Sequence, residues 1–185
     1  MPSTVRPLTS TAAVPRRPEQ VGTVVIRPLR PGEEETVQAV FDGLSARSRF
    51  LRFHTGLPRL TPAMLRRLAD VRDGQHTAYV AVLEGRPVGL VRWLRLATRP
   101  TTADVAVEVV DDCHRRGIGL LLLEAAAESA QEAGIEDLVA DVSGENRAVR
   151  SWLSRHGLRA DHADPQHFRV PVAVVVQAGR AIRTA

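Results

Sequence analysis

The chain contains no lysine, so all 25 of its basic residues are arginine. The arginine guanidinium is planar and donates several hydrogen bonds in a fixed geometry, which favours phosphate and carboxylate ligands. The absence of lysine also means that the chain has no side-chain amine of its own to be modified. The net charge is only +4 and acidic and basic residues are mixed. The composition therefore does not indicate a nucleic-acid partner.

Cysteine, histidine clusters and long apolar runs are equally scarce. The single cysteine, Cys113, has no partner for an internal disulfide and is interpreted as a small packing residue. The six histidines lack the spacing of metal ligands, so we expect no metal. No apolar run reaches 18 residues and the N-terminus has no apolar signal segment. These absences predict a cytoplasmic protein without membrane contact.

The length of 185 residues and a hydrophobic content of 44% predict one domain with an ordinary buried core. Residues 1–22 are rich in Pro, Ser, Thr and Arg without periodicity and are expected to form a flexible arm. The domain is predicted to cover residues 23–176, and residues 177–185 to form a polar C-terminal tail.

Hydrophobic periodicity, turn residues and caps predict the order of the elements. Strands are expected at 23–29, 76–83, 88–96, 104–110, 135–142 and 168–176. Helices are expected at 32–44, 45–53, from Thr61-Pro62 onward, at 120–133 and at 145–156. Residues 84–87 form a tight hairpin turn and residues 98–102 a polar loop. This order indicates a mixed α/β layer fold.

The sequence His114-Arg-Arg-Gly-Ile-Gly119 lies between a predicted strand and a long helix. A helix N-terminus has free backbone N–H groups and the positive end of the helix dipole, which together favour phosphate. Glycine lets an anion approach the backbone closely. A short Gly-x-Gly pattern also occurs at an ordinary helix start, so the assignment depends on further motifs.

Those motifs are present. Residues 114–119, followed by four leucines, resemble the acyl-CoA-binding motif of the GNAT acetyltransferases, written Gln/Arg-x-x-Gly-x-Gly/Ala. Residues 145–149 with Gly157-Leu158 resemble the second motif of that family, and the hairpin at 84–89 is similar to its strand pair. Within the superfamily, residues 44–53, 103–107 and 145–148 look closest to bacterial Pat-type protein lysine acetyltransferases.

The resemblance implies a mixed, mostly antiparallel central sheet with two splayed strands and helices on both faces. It implies acetyl-CoA as a co-substrate, held without a metal, with the pantetheine arm in the gap between the strands. Asn146 would fix the pantetheine arm or the second helix. The other residues that the resemblance assigns to acetyl-CoA are Val109 and Val110 along pantetheine and the backbone N–H groups of Arg115, Arg116, Gly117, Ile118 and Gly119 around the pyrophosphate.

Two positions depart from the family pattern. His114 stands where Gln or Arg is usual, and we expect a modest effect because backbone groups do most of the binding at this turn. Leu153 stands seven residues after Asn146, where the family often has a tyrosine that protonates the leaving thiolate. The CoA thiol is acidic enough for its thiolate to leave without a protein acid, and the thiolate can then take a proton from water.

The acceptor amine must lose a proton before it attacks the thioester, since a lysine amine has a pKa near ~10.4. Asp104 and Glu108 are four residues apart in one predicted strand and therefore share a face. The resemblance aligns Asp104 with the Pat-type glutamate that acts as base. Aspartate is one methylene shorter, so a bridging water is expected. Glu108 is the first alternative and the absence of an essential carboxylate the second.

The function implied is direct transfer of an acetyl group from acetyl-CoA to a primary amine. A protein lysine is the first acceptor class and a small-molecule amine the second, while a catalytically weak acyl-CoA sensor is a third alternative. A backbone N–H near Val107 to Val109 is the expected oxyanion donor. The arginines at 47, 49 and 52 are interpreted as a solvated helix face, with the rim of the acceptor cleft as the alternative. The last strand is a candidate for pairing in a homodimer.

Overall fold

The computed structural model describes residues 23–155, 160 and 164–183. The N-terminal arm at 1–22 and the Gly157-Leu158 pair of the second motif lie outside the described residues.

Six strands form one sheet in the spatial order β1-β2-β3-β4-β5-β6. The strands are β1 Val24–Pro28, β2 His76–Leu83, β3 Arg86–Leu96, β4 Arg99–Val109, β5 Asp137–Asp141 and β6 His167–Pro171. All neighbouring strands are antiparallel except β4 and β5, which run parallel. The parallel pair follows from the connection, because the helix after β4 carries the chain back to the start of β5.

The described helices pack around this sheet, and α3 begins at the cap that the sequence predicts. They are α1 Glu34–Asp42, α2 Ala46–Phe53, α3 Pro62–Ala69, α4 Ile118–Glu132, α5 Arg147–Arg155 and α6 Val172–Arg183. The Thr61 hydroxyl accepts a hydrogen bond from Met64 N at 3.3 Å, with Pro62 at the first helical position. Gly134 has a positive φ of 76° and follows α4, as the sequence predicts.

Helices pack on both faces of the sheet. Trp93 of β3 is 1% exposed and its indole N–H donates to Ser129 of α4 at 2.9 Å, so α4 covers the face of Trp93. Arg92 points to the opposite face because side chains alternate along a strand. Arg52 of α2 contacts Glu108 on that second face. The sheet type and the layers thus agree with the predicted fold class.

Strands β4 and β5 separate after a short paired region. Their parallel pairing covers only Thr102 to Asp104 against Asp137 to Val139. β4 continues for five residues beyond Asp104, still paired with β3, whereas β5 ends at Asp141. The two strands therefore open into a V-shaped gap, called the cleft below, which is the splay that the sequence resemblance implies.

Two predictions about elements are wrong. Residues 98–102 are not a polar loop, because β4 begins at Arg99 and pairs with Leu96 in a bulged hairpin. The last strand ends at Pro171, and Val172 begins helix α6, which packs on α4. The apolar run after Pro171 fits either a strand or a buried helix face, and periodicity alone does not separate the two.

No helix in the described part of the chain is long and apolar enough to cross a membrane.

Gly89 lets α4 lie close to the sheet. A Cβ at this position would stand 2.9 Å from Leu122 Cδ1 and 3.0 Å from the Glu108 carbonyl oxygen. We expect Gly89→Ala to lower the free energy of unfolding by about 1–3 kcal/mol, because the added methyl overpacks the core. Denaturant unfolding measures this change, with Gly56→Ala as the control, since a Cβ at Gly56 meets nothing within 4 Å. Equal stability of the two variants would contradict the close packing.

Candidate active site

The turn before α4 has the backbone shape of an anion-binding loop. Arg115 and Gly117 have positive φ angles of 61° and 78°, on either side of Arg116. Gly117 is the N-cap of α4 and offers no side-chain cap to the helix. A Cβ at Gly117 would meet nothing within 4 Å. The space above this residue is therefore open to a ligand.

The backbone donors of this turn are free. Among the described residues, the N–H groups of 115 to 119 donate no hydrogen bond, whereas Leu120 N and Leu121 N both bond to the Gly117 carbonyl. Arg115, Arg116 and Gly117 are exposed. Unpaired N–H groups at a helix N-terminus with two nearby guanidinium groups provide the charge and donors that a diphosphate needs.

The residues predicted to hold acetyl-CoA differ in their exposure and in their backbone hydrogen bonds. Ile118 is 1% exposed, so only its backbone N–H reaches the turn. Val110 is also 1% exposed, its N–H donates to Val88 and its side chain faces Gly43. Neither the Val110 side chain nor its N–H is therefore available to line the cleft. Val109 is half-buried at the end of β4 and remains at the cleft edge.

His114 ties the turn to the end of β4. Its Nε2 lies 2.8 Å from the Val109 carbonyl oxygen, which can only accept, so the ring nitrogen is the donor. His114, which departs from the family pattern, thus joins the turn to the end of β4 by a hydrogen bond.

Backbone N–H groups of β4 point into the cleft. Val110 donates to Val88 of β3 at 2.9 Å. Donor directions alternate along a strand, so the N–H groups of Val107 and Val109 point the other way, toward the side of β5. The β4–β5 pairing ends at Asp104, and in the described chain no strand lies beside these two groups. They occupy the region where the sequence predicts the oxyanion donor.

Asn146 caps the second helix. Its side-chain oxygen accepts a hydrogen bond from Val149 N at 3.3 Å, at the start of α5. Of the two roles implied for Asn146, the structure shows the helix cap. Leu153 is 5% exposed and belongs to the hydrophobic core, so this position offers no proton donor.

Asp104 lies where the cleft begins. It is the last residue of β4 paired with β5, opposite Val139. The residue keeps contact with solvent. Surrounding protein nevertheless partly desolvates the carboxylate and raises its pKa above the usual aspartate value, while the positive charge of Arg52 opposes this shift. A carboxylate with a raised pKa at the apex of the cleft is suited to accept a proton.

Glu108 shares the face of Asp104 but is already engaged. Its Oε2 lies 2.5 Å from Arg52 Nε, and its Oε1 lies 3.7 Å from Arg92 Nη1. The Glu108 side chain is 8% exposed. Both carboxylate oxygens thus face guanidinium groups, and the side chain is turned away from an incoming amine. The geometry therefore favours Asp104 over Glu108 as the base.

Helix α2 lies across the cleft and is bonded on both sides of it. On the β4 side, Asp111 accepts from Ser45 N at 3.1 Å and Glu108 binds Arg52. On the β5 side, Arg47 binds Glu145 at 2.7 Å.

Two of the three arginines of this helix differ from the solvated face expected from the sequence. The Arg52 side chain is 17% exposed in its ion pair. Arg49 stacks on the Phe41 ring at 4.2 Å. Only Arg47, at 60% exposure, matches that interpretation.

Two residues at the open end of β5 were missed by the sequence analysis. His167 Nδ1 lies 2.9 Å from Asp141 Oδ1, and the two residues are partners across β5 and β6. Both residues lie on the same face of the sheet as Asp104. The charge of Asp141 raises the pKa of Asp104, and the charge of His167 lowers it. The residues are 26 positions apart, so no local motif signalled the pair.

Comparison with known proteins agrees with this geometry. The sequence profile of the acetyltransferase (GNAT) family matches residues 43–158. Acetyltransferase PA5475 of Pseudomonas aeruginosa is 30% identical over 131 residues, which covers 69% of this chain and 70% of that protein. Acetyltransferase Pat of Mycolicibacterium smegmatis is 32% identical over 135 residues, which covers 71% of this chain but 40% of that protein.

Solved structures give the same result. The GNAT domain of S. lividans PAT superposes with a TM-score of 0.73 at 25% identity, covering 80% of this chain and 89% of that one. A cAMP-binding acyltransferase from Mycobacterium smegmatis, mutant R95K, superposes with a TM-score of 0.55 at 25% identity, covering 86% and 51%. The family match extends from the end of α1 through the splayed strands to α5, and the chain therefore belongs to the acetyltransferase (GNAT) family.

Proposed function

We propose that this protein transfers the acetyl group of acetyl-CoA to a primary amine by direct attack. The observation that carries the proposal is the cleft between β4 and β5, with unpaired backbone N–H groups at its mouth in residues 115 to 119. Membership in an acetyltransferase family supports the reaction type. The donor and the acceptor are the parts that the experiments below test.

The dimensions of β4 suit the donor. The turn binds the pyrophosphate of acetyl-CoA through its N–H groups and its two arginines. The six residue steps from Val110 back to Asp104 span roughly 20 Å at about 3.3 Å per residue. That length is of the order of an extended phosphopantetheine arm, so the thioester lies along β4 between Val107 and Asp104, close enough for a water to bridge the acceptor amine to Asp104.

The reaction then follows from the groups at the apex. Asp104 takes one amine proton, directly or through a water, and the amine nitrogen forms a bond to the thioester carbonyl carbon. One backbone N–H on the cleft side of β4 stabilises the negative charge on the carbonyl oxygen, and that of Val107 is nearer to Asp104 than that of Val109. The C–S bond breaks, and the CoA thiolate takes a proton from water because Leu153 supplies none.

His167 offers a path for the proton after Asp104 has accepted it. The Asp141 carboxylate holds His167 Nδ1 at 2.9 Å, which leaves Nε2 as the acceptor. We place His167 in this role as a relay to solvent, on the face of Asp104.

Two acceptor classes have support. The likeness to proteins named Pat and PAT supports a protein lysine. A small amine is supported by helix α2, which is bonded to both sides of the cleft and restricts the approach of a large partner. Release of free CoA thiol, measured with acetylatable proteins and with small amines, separates the two. Since the chain contains no lysine, modification of its own side chains does not contribute to the signal.

Gly117→Glu should remove binding of CoA at micromolar concentrations, because a carboxylate at the turn repels the pyrophosphate. Gly85→Glu is the matched control. Gly85 also has a positive φ, of 80°, and open space at its Cβ, but lies in the hairpin turn. Both variants carry similar backbone strain. Isothermal titration with CoA should show loss of binding in the first variant only, and retained micromolar affinity in Gly117→Glu would contradict the donor site.

Asp104→Asn should lower turnover on the order of 10²-fold or more, with little change in acetyl-CoA affinity. The raised pKa of Asp104 places the acidic limb of the kcat/KM profile above the ordinary aspartate value of about 3.9, since activity is lost as this carboxylate is protonated. The Asn variant should lack that limb. Asp73→Asn, at an exposed turn, is the control. Unchanged turnover would exclude Asp104 as the base.

The same variant should not lose stability. A raised pKa means that the folded state binds the proton more tightly than the unfolded state, so the ionised carboxylate lowers the stability of the fold at neutral pH. Asp104→Asn should therefore have a Tm at pH 7 equal to or above that of the wild type. The difference should shrink below about pH 4, where the wild-type residue is also neutral. A lower Tm at pH 7 would show that Asp104 has a structural role.

A further inference from the structure

The cluster formed by Arg52, Arg92 and Glu108 contains more positive than negative charge. Arg52 comes from α2, Arg92 from β3 and Glu108 from β4, and their side chains are 17%, 14% and 8% exposed. Two guanidinium groups share one carboxylate. Asp104 adds negative potential at Arg92, and Arg67 of α3 adds positive potential.

The cluster also leaves hydrogen-bond donors unused. Arg52 Nη2 and Arg92 Nη1 are buried and have no hydrogen-bond partner among the described residues. Burial lowers the pKa of Arg92 to about 10, and the charge of Arg52 adds to the effect. The group still carries its charge at neutral pH. Asp104 adds a negative charge near both arginines, but the two buried donors still have no acceptor in the described part of the chain. Buried charged donors are nearly always paired in a folded protein, so the cluster lacks a hydrogen-bond acceptor of the kind an anionic ligand provides.

The position of the cluster near Asp104 indicates that one of the two reactants carries the anion. Arg92 stands opposite Ala106, two residues from Asp104 on the same face of β4. That separation is roughly 7 Å along the strand. Ala106, whose side chain is a single methyl group, is the residue of that face between Asp104 and Glu108. An anion bound by the arginines would therefore lie about 7 Å from the proposed reacting amine.

We infer that Arg52 and Arg92 form a carboxylate subsite for one of the two reactants. A guanidinium group matches a carboxylate in charge and in its two-bond geometry. The carboxylate comes from one of two sources, a small amino-carboxylate acceptor or an acyl group with a carboxylate at its far end. Binding requires the Arg52 guanidinium to turn from Glu108 toward the cleft. This subsite rests on the proposed N-acyl transfer for its place beside the reacting atoms.

The first arm of the test compares acceptors that differ only in charge. 5-Aminovalerate and 4-aminobutyrate are assayed against their primary amides with acetyl-CoA. An acceptor carboxylate in the subsite should raise kcat/KM at least tenfold over the amide. The second arm compares succinyl-CoA with acetyl-CoA, by titration and by turnover, and the same preference for succinyl-CoA would identify the acyl group as the source.

Matched variants test whether a preference for carboxylate-bearing reactants depends on the cluster. Arg52→Gln should bring the tenfold ratio close to one, and Arg52→Lys should restore it in part because the charge returns without the planar geometry. Arg47→Gln is the control, since Arg47 lies on the same helix and pairs with the exposed Glu145. Arg52→Gln/Glu108→Gln removes one charge of each sign, so the net charge of the cluster stays the same, and this variant is used if the single variant folds poorly.

A binding measurement separates this inference from the reaction itself. 5-Aminovalerate and glutarate are titrated into the wild-type protein saturated with CoA, and into the double variant. Binding that the double variant loses supports the subsite even if no amine is acetylated, which would contradict the proposed function alone. The subsite is overturned if wild-type protein shows neither binding nor a carboxylate preference in either arm, whether or not acetyl transfer occurs.

Discussion

The short parallel pairing of β4 with β5 is the constraint on which the rest of the site depends. Three residue pairs hold the strands together, and β4 then follows β3 while β5 ends. In a regular sheet the N–H groups of β4 beyond Asp104 would pair with the next strand, but here they face a gap. The same divergence places Asp104 at the apex and the glycine turn at the mouth, about one strand length apart. A single irregularity in a sheet thus creates both ends of the site.

The elements with strong local signals could be predicted from the sequence. β2 was predicted at its observed bounds, and the hairpin, the Thr61 cap and Gly134 after α4 were also correct. The prediction of a loop at 98–102 was wrong because Arg99 pairs with Leu96 through a bulge, which a local sequence pattern does not signal. The prediction of a last strand to Val176 was wrong because Val172, Val175 and Val176 form the buried face of a helix, which packs on α4.

At the site, sequence reasoning found the backbone features and missed the side-chain pairs. The turn at 115 to 119 is local and has a pattern. The contacts Arg52–Glu108 and Asp141–His167 join residues 56 and 26 positions apart, so they exist only once the sheet and α2 are assembled. Glu108 shows the consequence. Alternation placed it correctly on the face of Asp104, but its two partners, Arg52 of α2 and Arg92 of β3, come from other elements and are not signalled by the strand.

The unpaired donors at 115 to 119 also make the stability of this chain depend on its environment. Without a ligand these groups are satisfied only by water, and the cleft is an unfinished edge inside the sheet. A ligand that bonds to them acts in place of a missing strand. Such a ligand adds about 2.7 kcal/mol to the unfolding free energy at 100 times its Kd. Resistance to unfolding and proteolysis would then rise and fall with the concentration of that ligand.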